Sequence, residues 1–340
     1  MGGLNGYGHS PLKAKPMSKL TLIATASILL ASCATVTAAA ENSTPKVTAN
    51  AEMASQAGFI IARLNVKDAG QPDIEVGIWT PKVPANSPRP LIIISHGNGG
   101  DYRSHHDTAE ALASSGFVVA ALTHTGDNWR DQSRATDMVD RTRQISVLID
   151  YMLEQWEGRA GIDAQRIGAF GFSSGGFTVL AAAGGNPDLT RLVDHCRANP
   201  TFYDCRLAAQ NPASKTATTS GPGLPHDRRI KALVVAAPAL GFTFTREGLV
   251  DVTQPVQLWQ AGSDHVLPSP YYAEPVRDAL PRRPEYILVD GADHFDFIPP
   301  CSPELAAFAP VICTPTPGFD RAAFHDRLNR EITRFFKANL

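Results

Sequence analysis

From Phe59 onward, short unbroken apolar runs alternate with longer stretches in which apolar positions recur three or four apart. Short buried runs read as strands and the longer periodic ones as helices, so the order predicts a mostly parallel sheet with helices on both faces. Phe59–Val66 and Ile74–Thr80 form an opening pair, expected to be antiparallel. Pro90–Ser95 is continuously apolar, as a strand covered on both faces should be. A helix over His105–Ser115, a strand over Phe117–Leu122 and a long helix from Thr136 to Trp156 follow. Ile167–Phe172 predicts another strand, and the small residues from Ser174 to Ala183 another helix. The alternation then breaks. Residues 184–229 hold Pro187, Pro200, Pro212, Pro222 and Pro225 with a Ser/Thr-rich patch, and predict a lid-like insertion. Ala232–Ala236, Val256–Gln260 and Tyr286–Val289 resume the strands. Phe324, Leu328, Ile332 and Phe336, four apart, give a last helix its core stripe.

The N-terminal region has a different pattern. Lys13, Lys15 and Lys19 precede an uncharged stretch from Leu20 to Ser32, too short for a comfortable membrane span and suited to a signal peptide. It ends in Leu30-Ala31-Ser32-Cys33, which resembles a bacterial lipobox. The expectation is a lipidated Cys33 anchoring the chain to a membrane, most simply the outer membrane facing the periplasm. Cleavage after Ala38-Ala39-Ala40, giving a soluble periplasmic or secreted protein, is the alternative. Three segments follow from this: 1–33 as signal peptide with lipobox, 34–55 as flexible tether, and 56–340 as one domain.

Composition changes the picture little. At 340 residues, 43% hydrophobic and 19% charged, the chain can bury one large α/β core. A net charge of −2 gives no electrostatic reason to expect a nucleic-acid partner. Beyond Cys33 there remain Cys196, Cys205, Cys301 and Cys313, an even set suited to an oxidising compartment. The local pairs Cys196–Cys205 and Cys301–Cys313 are preferred among the possible connectivities, each closing a short loop outside the sheet. No close Cys/His spacing of the zinc type occurs, so no metal is expected.

Candidate chemistry centres on residues 166–176. There Gly171, Ser173 and Gly175 form G-x-S-x-G directly after a predicted strand and before a predicted helix, the form of a nucleophile elbow. Neighbours two positions either side of the serine come so close that a Cβ would clash, so both are glycine. Ser174 fits worse, because Phe172 would then occupy the crowded position.

A serine nucleophile needs a base that an acid holds in place, in the chain order Ser, acid, His. His294 follows the final strand in Gly291-Ala292-Asp293-His294, where a base would hang over the elbow. His195 and His226 fall in the insertion, and His325 shares a helix with core residues. Asp264 follows the penultimate strand and is the expected acid; its carboxylate also fits a cap on the next turn. Asp290 and Asp293 lie too near His294 in sequence to orient it easily, and Asp251 precedes the strand. The N–H of Ser174 and that of Asn98, in Ser95-His96-Gly97-Asn98-Gly99-Gly100, are the candidate oxyanion donors, with Gly99 as second choice to Asn98. His96 reads as a loop brace, and His105-His106 as helix-start residues near a cleft rim. Trp129, Phe172, Phe242, Phe244 and Tyr271 are candidates for an apolar pocket, although aromatics at such places often belong to the core.

The segments Ile92–Gly100, Arg166–Gly176, Gly262-Ser263-Asp264 and Gly291–His294 together resemble the α/β-hydrolase superfamily. Within it they are similar to dienelactone-hydrolase-like and platelet-activating-factor-acetylhydrolase-like esterases. The resemblance spans about residues 60–338. It implies an α/β-hydrolase fold and hydrolysis of a small-molecule ester through an acyl-enzyme, without metal or organic cofactor. Two departures stand out. Dienelactone hydrolases use a cysteine where this elbow has Ser173. The acetylhydrolase-like enzymes carry their acid after the strand matching Ala232–Ala236, where this chain has Ala237-Pro238-Ala239-Leu240-Gly241 and no carboxylate.

Overall fold

A computed structural model describes residues 52–56, 58–84, 86–210 and 224–340. Cys33, the signal segment and the tether through residue 51 lie outside the described residues, as does 211–223 of the insertion.

Nine strands among the described residues form one sheet: β1 (Glu52–Gln56), β2 (Phe59–Val66), β3 (Ile74–Pro81), β4 (Arg89–Ser95), β5 (Val118–Thr123), β6 (Ile162–Phe172), β7 (Ile230–Ala236), β8 (Val256–Ala261) and β9 (Glu285–Val289). Their spatial order is β1-β2-β3-β5-β4-β6-β7-β8-β9. β1, β2 and β3 run antiparallel to their neighbours, β3 pairing antiparallel with β5, and every pair from β5 to β9 is parallel. This is the mostly parallel sheet with helices on both faces that the alternation predicted, in keeping with the α/β-hydrolase fold that the resemblance implies. β1 starts at Glu52, within the stretch read as tether. Its sequence has no apolar alternation, and its backbone pairs antiparallel with β2.

The central strands are apolar throughout because both faces are covered. Leu91 and Ile93 of β4 face one core and Ile92 and Ile94 the other. On the first face pack α2 (Met138–Glu154), α3 (Ser174–Ala182) and α6 (Ala273–Ala279). On the second lie α1 (His106–Ser114) and α9 (Arg321–Asn339), the latter through Phe324, Leu328, Ile332 and Phe336.

The insertion contains α4 (Arg191–Ala198) and α5 (Tyr203–Gln210), two short helices that the proline-rich sequence did not announce. The Cys196–Cys205 disulfide ties them together. Cys301–Cys313 closes a second loop, around α7 (Pro303–Phe308) and α8 (Pro310–Cys313). Both disulfides match the local pairing expected from the spacing. No helix among the described residues is long and apolar enough to cross a membrane. The strands β4, β6, β8 and β9 all end at one edge of the sheet, and the loops leaving them carry every candidate site residue. Crevices at such carboxyl edges are where open α/β sheets bind ligands.

Candidate active site

Between β6 and α3 the chain turns so tightly that Ser173 takes φ 55° and ψ −119°, a conformation that costs a non-glycine residue about 1–3 kcal/mol. The surroundings impose it. A Cβ at Gly171 would run into the Gly175 carbonyl, and one at Gly175 into the Ser95 carbonyl. The Ser173 N–H donates to Ala236 O at 2.9 Å, and the Ser173 carbonyl accepts from Ala239 N at 3.0 Å, so β7 and its following loop hold the turn from both sides. The hydroxyl is thereby presented at the sheet edge, in the first position before a helix.

His294 opens a 3-10 turn just after β9, and Asp264 lies in the loop after β8. The two loops are stitched together by Gly262 N to Val289 O at 2.9 Å and Ser263 N to Ala292 O at 2.8 Å. His294 Nδ1 lies 2.8 Å from Asp264 Oδ2, and His294 Nε2 lies 3.1 Å from Ser173 Oγ. The imidazole and carboxylate are only 2% and 5% exposed, so little water competes for these bonds. A carboxylate can only accept, which puts the proton on Nδ1 and leaves Nε2 free to take one from the serine. The other Asp264 oxygen accepts from Val266 N and Leu267 N at 2.9 and 2.6 Å. Asp264 therefore both caps its turn and orients His294.

The neighbouring acids do other work. Asp293 accepts from His265 N at 2.9 Å and from His294 N at 2.7 Å, which braces the histidine loop without reaching the imidazole. Asp296 is fully buried; its carboxylate takes the Asp293 N–H and pairs with Arg321 at 3.0 Å. Asp290 and Asp251 are exposed on the surface. Among the other histidines, His226 and His265 are exposed, and His195 is buried in the insertion, stacked on Phe242 with ring centroids 3.7 Å apart. His325 bonds Asp107 and the Asp296 carbonyl behind the site. His195, Asp204 and Cys205 converge, but the Cys205 sulfur is committed to its disulfide, which leaves two ligands and no metal set.

The Asn98 loop lies across from the serine, with Gly97 so close that an added Cβ would approach the Ser173 Cβ at 3.3 Å. Among the described residues, neither the Asn98 nor the Ser174 backbone N–H has a hydrogen-bond partner. Unpartnered N–H groups close to a serine hydroxyl are of the kind that can hold an anionic oxygen. The Gly99 N–H is not available in this way, because it donates to Asp127 Oδ1 at 3.0 Å.

Beneath this loop is a buried polar network that the sequence reading missed. Arg141 of α2 donates to Asp127 Oδ2 at 2.5 Å, to Thr178 of α3 at 3.0 Å and to the His96 carbonyl. His96 accepts the His124 N–H on Nε2 at 3.0 Å, so its Nδ1 carries the proton and donates to Gly97 O. His124 donates from Nδ1 to Gln144 Oε1 at 2.9 Å and accepts from Ser95 Oγ at 2.8 Å. Burial, reinforced by the Arg141 charge, drives both histidine pKa values well below the ordinary range and keeps the rings neutral. His96 is the loop brace its position suggested. The available signal was on α2, where Arg141 and Gln144 share the apolar stripe of Ile145, Leu148 and Met152. A charge on a buried stripe requires a partner.

The cleft at Ser173 is walled by aliphatic side chains, notably Leu189, Leu192, Leu240 and Leu267, with Tyr203 and Asp204 from the insertion. None of the five aromatics considered from sequence lines it. Phe172 lies under the His294 ring at 4.7 Å, Phe244 packs on Phe177 and Phe242 on His195. Trp129 and Tyr271 are exposed. Part of the wall comes from aliphatic residues of the insertion, Leu189 and Leu192, and the proline-rich stretch gave no pattern by which to place them. His105 differs from its expected place near a cleft rim. It is 1% exposed, edge-on to Phe170 and Phe172 beneath the site.

Comparison with known proteins agrees with this architecture. The dienelactone hydrolase family matches residues 75–220. Over 105 residues the chain is 36% identical to cutinase est1 of Thermobifida alba, a match covering 30% of this chain and 33% of that one. The alignment thus spans about a third of the length of the curated relatives. By structure, the chain resembles a dienelactone hydrolase from Anabaena variabilis, with TM-score 0.51 and 14% identity over 83% of this chain and 99% of that one. It also resembles a ferulic acid esterase from Streptomyces cinnamoneus, with TM-score 0.54 and 19% identity over 80% and 84% of the two chains. These structural likenesses show that the chain has the α/β-hydrolase fold.

Proposed function

We propose that this chain is a serine hydrolase of carboxylic esters, with Ser173, His294 and Asp264 as its triad. The observation that carries the reading is the unbroken line of hydrogen bonds from Asp264 through His294 to Ser173 Oγ at the carboxyl edge of the sheet. The dienelactone hydrolase match and relatives named as a cutinase and a ferulic acid esterase support an ester substrate.

In this reading Ser173 Oγ attacks the ester carbonyl while His294 Nε2 takes its proton, and Asp264 stabilises the resulting imidazolium. The carbonyl oxygen, now anionic, accepts from the N–H groups of Asn98 and Ser174. Collapse expels the alcohol with the proton from His294 and leaves the acyl group on Ser173. Water, deprotonated by His294, then attacks the acyl-enzyme and releases the acid. The aliphatic wall suits the apolar part of a small or medium ester, since removal of such surface from water contributes about 25 cal/mol per Å².

The test is turnover of p-nitrophenyl esters of graded acyl length, with a peptide p-nitroanilide as control. Ester cleavage with the peptide untouched is the expected result; cleavage of the peptide alone contradicts it. We further propose that Cys33 is lipidated and holds the enzyme at a bacterial membrane, a reading supported by the basic, apolar and Leu30-Ala31-Ser32-Cys33 pattern of the leader.

A further inference from the structure

Tyr203 opens α5 of the insertion, just ahead of the Cys205 that pairs with Cys196. Its side chain lines the same cleft as Ser173, and its hydroxyl bonds the Asn98 side chain in the loop after β4. Chemistry fixes the direction of this bond. Asp127 is paired with Arg141 and accepts on both oxygens, so the Asn98 amide nitrogen must face it, at 2.6 Å. The Asn98 side-chain oxygen is thereby turned to Tyr203, which donates.

Asn98 is consequently held at three points. Its amide nitrogen is bonded to Asp127, its side-chain oxygen to Tyr203, and the next residue's N–H to the same Asp127 oxygen at 3.0 Å. Its own backbone N–H is left without a partner among the described residues. Asp127 and Arg141 are a rigid, buried support on one side, each 1% exposed. On the other side the support is one phenol hydroxyl from a separate, disulfide-braced segment. Burial, with the nearby Asp127 charge, pushes the Tyr203 pKa above its ordinary value, so the hydroxyl keeps the proton it donates.

We propose that Tyr203 is a positioning residue for ester hydrolysis: by holding the Asn98 side chain, it aims the Asn98 N–H at the carbonyl oxygen, so that the insertion completes the oxyanion site as well as covering the cleft. The proposal rests on the ester-hydrolase reading. A misaimed donor costs less than a missing one, for which kcat falls about 10²–10³-fold. The interaction is made with charge that develops in the transition state, so its loss belongs in kcat and not in KM.

The experiment is a double-mutant cycle of Tyr203→Phe and Asn98→Ala, read as kcat and KM on a p-nitrophenyl ester, with thermal melts to check folding. Y203F should lower kcat about tenfold with KM within about twofold, and N98A should do the same. The double variant should be no worse than N98A, because Tyr203 acts through the Asn98 side chain. Wild-type kcat in Y203F overturns the proposal, and so does a loss confined to KM. A further loss when Y203F is added to N98A also overturns it, because the hydroxyl would then be touching substrate directly. Should Y203F fail to fold, N98A alone decides: a kcat loss with KM kept supports the link, and wild-type kcat overturns it. Absence of ester turnover in the wild-type protein would instead sink the ester-hydrolase reading, and this proposal with it.

Discussion

Arg141 and Asp127 form an ion pair at 2.5 Å beneath the Asn98 loop, both side chains 1% exposed. Neither is near Ser173 in sequence, yet the pair joins three parts of the candidate site. Arg141 bonds Thr178 on the helix behind Ser173 and the His96 carbonyl at the end of β4, and Asp127 bonds Asn98 and Gly99. Burial works to lower the Arg141 pKa, and the Asp127 charge opposes it.

Removal of one member leaves the other charged and unpaired in the interior. Arg141→Met should destabilise the fold by about 3–5 kcal/mol, measured by urea unfolding. The double variant Arg141→Met, Asp127→Asn should lose less than the sum of the single losses. A loss under about 1 kcal/mol for Arg141→Met would show that the pair does not hold the site together.

Asp264 and Asp293 both stand close to His294, but only Asp264 bonds the ring. Asp264→Asn should reduce kcat by up to about 10⁴-fold, because the amide favours the wrong imidazole tautomer. Asp293→Asn should cost far less, since it loses loop contacts only. Steady-state kinetics in which Asp293→Asn is inactive and Asp264→Asn is not would move the acid.

Much of this was legible in the chain because the signals are local. Gly171 and Gly175 mark the elbow, since no larger residue fits between β6 and α3 at the first or between α3 and the end of β4 at the second. Each central strand announces itself by burial on both faces. Asp264 and His294 follow the last two strands, and the parallel topology brings successive strand ends together. Arg141 was legible only as a charge on the buried stripe of α2, and Asp127 and Tyr203 not at all, because their partners lie on other elements and no spacing records a contact of that kind. β1 was hidden for another reason. An edge strand needs only backbone hydrogen bonds, and Glu52–Gln56 has no apolar pattern to show it.

His105 makes the fold acid-sensitive. Burial lowers its pKa from 6.5 to about 3, and neither ring nitrogen has a partner among the described residues. Between those values the unfolded chain binds a proton that the folded chain does not. Stability therefore falls as pH drops below 6.5 and keeps falling until about 3. His105→Phe keeps an aromatic ring against Phe170 and Phe172, so its stability relative to wild type should rise as pH falls through this window. Chemical denaturation at a series of pH values checks this; parallel curves for the two proteins would contradict it.

Cys33→Ser should release the protein from membranes without lowering its specific activity on soluble esters. Acyl chains stabilise attachment by about 0.8 kcal/mol per buried CH₂, so under the proposed lipidation the substitution removes the anchor. Membrane fractionation and intact-mass analysis read the outcome. An unmodified mature chain beginning at Glu41 would favour simple secretion and leave the esterase reading standing.

The proposed role of Ser173 as nucleophile is tested by peptide mapping after reaction with a fluorophosphonate ester probe. A single adduct on Ser173 is expected, with loss of ester turnover in step with labelling, and neither labelling nor turnover in a folded Ser173→Ala variant. In that variant kcat should fall by on the order of 10⁶ if chemistry limits the rate. An adduct on Ser174 with Ser173 untouched, or ester turnover that persists in Ser173→Ala, would contradict it.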